Sequence, residues 1–153
     1  MTDYDLQNSI IKELEQMKLK IPGENGWKKI EIYKQHKPFR DDYQEETTDD
    51  YIIVMLGDET TDKDGRWIVE VQFLFQIMSF DFKRDGEQIL TNLMNQIDLH
   101  FTKKGVIDGK YELEKEKAKA RNPLCDANYA QSAYVTKWKI PNILVEMEVG
   151  NLI

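Results

Sequence analysis

The chain has 153 residues, a net charge of −7, 32% charged and 41% hydrophobic residues, and one cysteine, Cys125. This fits one domain over residues 1–153, large enough to bury roughly 68–70% of the surface its unfolded chain would expose, and an aromatic content of 10% excludes wholesale disorder. A lone cysteine excludes an internal disulfide, the acidic balance disfavours binding to phosphate backbones, and no run approaches the ~18 apolar residues of a membrane span.

The start, MTDYDLQNSIIKELEQ, is polar and amphipathic, with no apolar signal core. A protein made and used inside a cell is the expectation. Leu6, Ile10, Leu14 and Met17 form one apolar stripe, which predicts a helix over 3–19. Asp3 or Asp5 can cap it, and Pro22-Gly23 stop it. Trp27 is placed as a cap on that helix. Lys29–Gln35 alternates, with Ile30 and Ile32 on one side, and predicts a short strand. Residues 36–50 form a long polar loop rich in acids, of the kind that carries function or mobility.

Tyr51–Leu56 (YIIVML) is apolar on both faces and predicts a central strand. Gly57–Gly65 (GDETTDKDG) has turn chemistry. Arg66–Phe80 predicts a long strand with Trp67, Val69, Val71, Phe73, Phe75 and Ile77 on one face. Its other face mixes Ile68, Leu74 and Met78 with polar groups. A second helix is predicted over 84–102, from Ile89, Leu93, Ile97 and Phe101 every four residues, with Gly105 just past its end. KYELEKEKAKAR, Lys110–Arg121, reads as an exposed strand or a projecting arm, broken by Asn122-Pro123. A last strand covers Gln131–Ile140, with Tyr134, Thr136, Trp138 and Ile140 on one face. The tail Ile143–Ile153 is apolar.

The expected fold class is α+β, a mostly antiparallel or mixed sheet in the order α–β–β–β–α–β–β, with two main helices on one face. The opposite face is too apolar for water and too polar for a core, and such surfaces meet other subunits.

Chemistry-bearing motifs are sparse. None of the eight glycines forms a phosphate loop. One cysteine and two histidines, His36 and His100, match no zinc spacing. No catalytic residue, metal or cofactor is expected. NPLCDAN is no nucleophile setting, so Cys125 is expected to pack as a small apolar group. His100 suits the end of its helix through the dipole. The acids of DETTDKDG lack calcium-loop spacing. Lys115, Lys117, Lys119 and Arg121 are interleaved with Glu112, Glu114 and Glu116, so much of their field cancels. They read as a charge-protected edge strand or a salt-bridging subunit contact.

From about Asp49 to Ile143 the chain resembles tail-terminator (tail-completion) proteins of long-tailed double-stranded-DNA phages and phage-tail-like particles. The resembling segments are DDYIIVMLGDE, RWIVEVQFLFQIMSFD, DGEQILTNLMNQIDLHF, GKYELEKE and the closing strand YVTKWKIPNI. That strand carries Thr136, Trp138, Ile140 and Pro141 in the family's Thr–x–Trp–x–Ile–Pro pattern. KAKARNPLCDANYAQ departs from the aromatic–proline segments usual there. The resemblance implies a structural protein forming a ring, usually a hexamer, on the end of a finished tail tube. The ring stops polymerisation and joins the head. Implied partners are sister copies, the tube protein, a head–tail connector and, in a contractile tail, the sheath protein. DNA only passes through the lumen, and no membrane is involved. Such a protein belongs to the bacterial host cytoplasm during assembly and then to the virion or tail-like particle. The contact residues expected from exposure and charge are Phe39, Arg40 and Tyr43 in the loop and Lys117, Lys119 and Arg121 in the arm. The alternatives are a head–tail connector, a small hydrolase or ligand-binding domain using Cys125 and His100, and a nucleic-acid-binding domain.

Overall fold

A computed structural model describes residues 3–23, 26–35, 50–78, 85–122 and 129–141. Helix α1 (Asp3–Met17) is followed by the hairpin β1 (Lys20–Gly23) and β2 (Gly26–Lys29), then β3 (Glu31–Lys34), β4 (Tyr51–Thr61) and β5 (Trp67–Met78). Helix α2 (Asp85–Lys104) leads into β6 (Val106–Ile107), β7 (Tyr111–Leu113), β8 (Ala118–Arg121) and β9 (Tyr129–Lys139). The class is α+β.

The main sheet has seven strands in the order β3-β4-β5-β9-β7-β6, with β8 also pairing β9. β3 runs parallel to β4, and the other pairs are antiparallel. β5 and β9 form the centre, in unbroken register from Ile68↔Lys139 to Met78↔Tyr129. Beyond β9 the edge is split. β7 pairs its C-terminal end, at Leu113↔Trp138, and β8 its N-terminal half, at Arg121↔Ser132.

Strand alternation puts Val69, Val71, Phe73, Phe75 and Ile77 of β5 beside Tyr134, Thr136 and Trp138 of β9 on one buried face. Both helices cover that face: α1 packs on β3 and β4, and α2 on β5 and β9. Leu6, Ile10 and Leu14 supply the stripe of α1; Leu90, Leu93, Met94, Ile97 and Phe101 supply that of α2. Phe101 meets Phe73 at 5.9 Å and Trp138 edge-on at 5.4 Å between ring centroids. Such contacts contribute roughly 0.5–1.5 kcal/mol beyond area burial. α2 ends where Gly105 takes φ 71 and its N–H donates to the Phe101 carbonyl at 2.8 Å, a left-handed position that suits glycine.

The closing-strand pattern has a packing role. The Trp138 indole N–H donates to Thr136 Oγ1 at 2.9 Å, and that hydroxyl donates to the Val71 carbonyl at 3.0 Å. Two buried polar side chains thus satisfy each other at the sheet's centre. The backbone N–H of Ile140 then donates to the Trp67 carbonyl at 3.1 Å, anchoring the strand's end.

Three expectations change. Gly57–Thr61 is strand, because a bulge between Leu56 and Glu59 absorbs one extra residue, Gly57 and Asp58 standing opposite Glu70, and lets Thr60 and Thr61 pair with Ile68 and Trp67. The turn is confined to residues 62–66, where Asp62 Oδ1 accepts the N–H groups of Asp64 and Arg66, both at 2.9 Å. Trp67 opens β5 but stands 51% exposed, at the end of the otherwise buried row. Trp27 caps no helix: it lies in β2, 72% exposed. The 36–49 loop and the tail beyond Pro141 lie outside the described residues.

Candidate assembly surface

The second face of the sheet carries Tyr51, Ile53 and Met55 from β4, the even-numbered residues of β5 and the odd-numbered residues of β9. Its side chains are half-buried along both central strands, and no helix among the described residues covers them. Tyr33 of β3 extends this surface and meets Tyr51 at 6.0 Å between ring centroids. Gln131 donates to Gln76 at 2.7 Å across the β5–β9 pair, so the amides inside the apolar field are joined. A depression of about 310 Å³ is lined by Tyr51, Ile53, Leu74, Gln76, Gln131 and Ala133, with Arg121 and Asn122 on the β8 side. Toward the far end of the two strands the face becomes charged. There Lys137 pairs with Glu116 at 3.4 Å and Lys139 with Glu114 at 3.5 Å. An apolar centre bordered by ion pairs has the anatomy of a subunit contact.

The register of β8 gives its two sides different duties. Ala118 and Ala120 pair with Val135 and Ala133 and share the second face, whereas Lys119 and Arg121 pair with Tyr134 and Ser132 and lie on the helix side. Lys117 donates to Asp98 and Thr102 of α2, each at 2.6 Å; Lys119 donates to Asn95 at 2.7 Å; Arg121 donates to Thr91 at 3.3 Å. Positions 91, 95, 98 and 102 follow a helical period, so a polar stripe on α2 meets an alternating basic strand. The basic segment is an edge strand held against α2. The polar stripe in the helix was the signal that could have shown this from sequence. The other three expected contact residues, Phe39, Arg40 and Tyr43, lie outside the described residues.

Asp98 is the centre of this junction. Tyr134 donates its hydroxyl to Asp98 at 2.6 Å. Partial burial pushes the Asp98 carboxyl up, but hydrogen bonds from Lys117 and Tyr134 outweigh it and hold it below its ordinary value. Burial, with the Asp98 carboxylate beside it, pushes the Tyr134 hydroxyl well up.

His100 and Lys104 of α2 both reach Glu13 of α1, at 2.8 Å, joining the helices. Burial would raise the Glu13 carboxyl, but the hydrogen bonds from Lys104 and His100 prevail and lower it. His100 therefore has a structural partner. Cys125 and His36 lie outside the described residues. Among the described residues no group of three or more His, Cys, Asp or Glu side chains is placed to hold a metal ion, and no helix is long and apolar enough to cross a membrane.

Asp50 is a further residue that sequence reasoning left as a loop acid. It is 6% exposed, accepts the Met78 N–H at 2.6 Å and pairs with Lys28 of β2. It ties the β1–β2 hairpin to the starting end of β4. Comparison with models of protein families returns no match, and comparison with curated proteins returns none.

Proposed function

We propose that this protein is a structural subunit that assembles as a ring on the end of a phage or phage-tail-like tube, stops its polymerisation and offers the surface to which the head joins. The observation that carries this reading is the half-apolar second face of the sheet, which no described helix covers. A face of this kind is stabilised when another protein surface excludes water from it. The Thr136–Trp138–Ile140–Pro141 closure, one of the segments that carry the resemblance to tail terminators, supports the same reading by holding the strand that builds half of that face. A ring uses heterologous contacts, in which one patch meets a different patch on the next copy and the rotation closes. Sister copies, the tube protein and a head–tail connector are the proposed partners, with a sheath protein added in a contractile tail. The acidic balance of −7 suits a wall that lets DNA pass without holding it.

The test is omission. Particles assembled without this protein should carry tubes of abnormal length that fail to join heads. Normal-length, joined tails in its absence would refute the proposal.

A further inference from the structure

Two surfaces of opposite charge lie at opposite ends of α1. After Met17 the chain turns at Lys18, φ 53, and enters the β1–β2 hairpin. Trp27 is 72% exposed there, and Lys18, Lys20, Lys28 and Lys29 are exposed with it. Residues 18–29 hold four lysines against one glutamate, in a chain whose total is −7; Lys28 is paired with Asp50, so Lys18, Lys20 and Lys29 set the sign of this surface. At the other end of α1, the Glu59 carboxyl lies beside Asp3 of the first turn. Asp58, Glu59 and Asp64 are exposed around it, and Trp67 is 51% exposed. Lys63 is exposed too, but the other cations there are engaged. Lys139 faces Asp62 and Glu114, and the Arg66 guanidinium donates to the Ile140 carbonyl at 3.4 Å. The 15 residues of α1 separate the two surfaces by about 22 Å.

Each surface joins one large exposed indole to charge of a single dominant sign. Tryptophan is the side chain most enriched among residues that dominate binding energy, and such residues tend to pair across an interface. Two basic hairpins repel each other, and so do two acidic ends. The favourable pairing is hairpin to acidic end, which requires two copies related head to tail. We propose that the Trp27 hairpin of one copy docks on the Trp67 end of the next, between its lysines and the neighbour's Asp58 and Asp64. This rests on the ring reading and names the contact that closes the ring.

The test uses sedimentation velocity of the full chain at low and moderate salt. The same chains are scored for capping of tail tubes, so that a contact too weak in free solution is still read. Trp27→Ala should weaken self-association about 30-fold with an unchanged circular dichroism spectrum. Lys20→Glu/Lys29→Glu and Asp58→Lys/Asp64→Lys should each remain monomeric. Mixed in equal amounts they should assemble with the two variants alternating, since the intact pair of surfaces and the charge-swapped pair are both complementary. All four changes in one chain should restore assembly. If the charge-reversed chains build rings on tube ends as the wild type does, the hairpin contact is wrong and the ring reading stands. If the wild type neither self-associates nor seats on tube ends, both are wrong. Hairpin-dependent binding of DNA or anionic vesicles, with assembly indifferent to the charge reversals, also overturns the proposal.

Discussion

Asp98→Ala should cost about 3 kcal/mol, far more than an ordinary surface acid. Tyr134 is 1% exposed and its hydroxyl donates to Asp98 at 2.6 Å. Removing the carboxylate leaves that buried hydroxyl without this acceptor, a loss of roughly 1–3 kcal/mol. The Lys117 ammonium, whose side chain is 21% exposed, loses its ion-pair partner as well, adding about 0.5–1 kcal/mol. Tyr134→Phe removes the donor and leaves Asp98 with Lys117 and Thr102, so it should cost only about 1 kcal/mol. The double variant should then lie at least 1 kcal/mol short of the sum of the two single changes, because once the hydroxyl is gone nothing buried is left unpaired. Urea unfolding of the four proteins, read as midpoints with a shared slope, measures the coupling. Additivity within about 0.3–0.5 kcal/mol would show that Asp98 and Tyr134 act independently, and the junction between α2 and β9 would need another explanation. The pH dependence has a definite sign. A carboxyl held below its ordinary value stabilises the fold at neutral pH and loses that contribution as pH falls through its folded value. Asp98→Asn should flatten this part of the acid limb.

The Glu59 carboxyl is pushed up to about 7, first by its hydrogen bond with Asp3 and then by burial and the Asp3 charge. The protonated form is favoured on folding, so its stabilising contribution is complete below pH 4.5 and is lost as pH rises toward 7. Glu59→Gln should reduce the stability lost between about pH 5 and about pH 8 by on the order of 1 kcal/mol, solvent screening included; identical pH profiles would contradict this. Thr136→Val keeps the shape but orphans the Trp138 indole N–H and removes the donor to Val71, so thermal unfolding should fall by about 4–12 °C for a loss of about 2–3 kcal/mol. A shift under about 2 °C would show that these bonds contribute little. Leu74→Glu, on the half-buried second face, should leave the circular dichroism spectrum intact while abolishing assembly on tubes; retained assembly would remove this face from the contact.

Long periodic segments were readable because burial imposes the period. The four-residue spacing of Ile89, Leu93, Ile97 and Phe101 gave α2, and the unbroken alternation from Val69 to Ile77 gave β5. What failed to show had competing local chemistry. Gly57 and Asp58 look like a turn, yet a bulge absorbs them and strand pairing continues to Thr61. Pro22-Gly23 were expected to stop the helix, but it ends at Met17, where the chain turns at Lys18, and Pro22-Gly23 pair with Trp27 and Gly26 in a hairpin that only this pairing reveals. The second face was legible as a mixture of Leu74, Met78 and glutamines in alternation. The direction of Lys117, Lys119 and Arg121 was not, because it depends on register with β9 and on the Thr91–Asn95–Asp98–Thr102 stripe.

Electron microscopy of the purified protein with tail tubes bears most directly on ring assembly. Closed rings seated at one end of each tube, halting growth there, are the expected image. Tubes that lengthen unchanged, or protein scattered along their sides with bare ends, would contradict it.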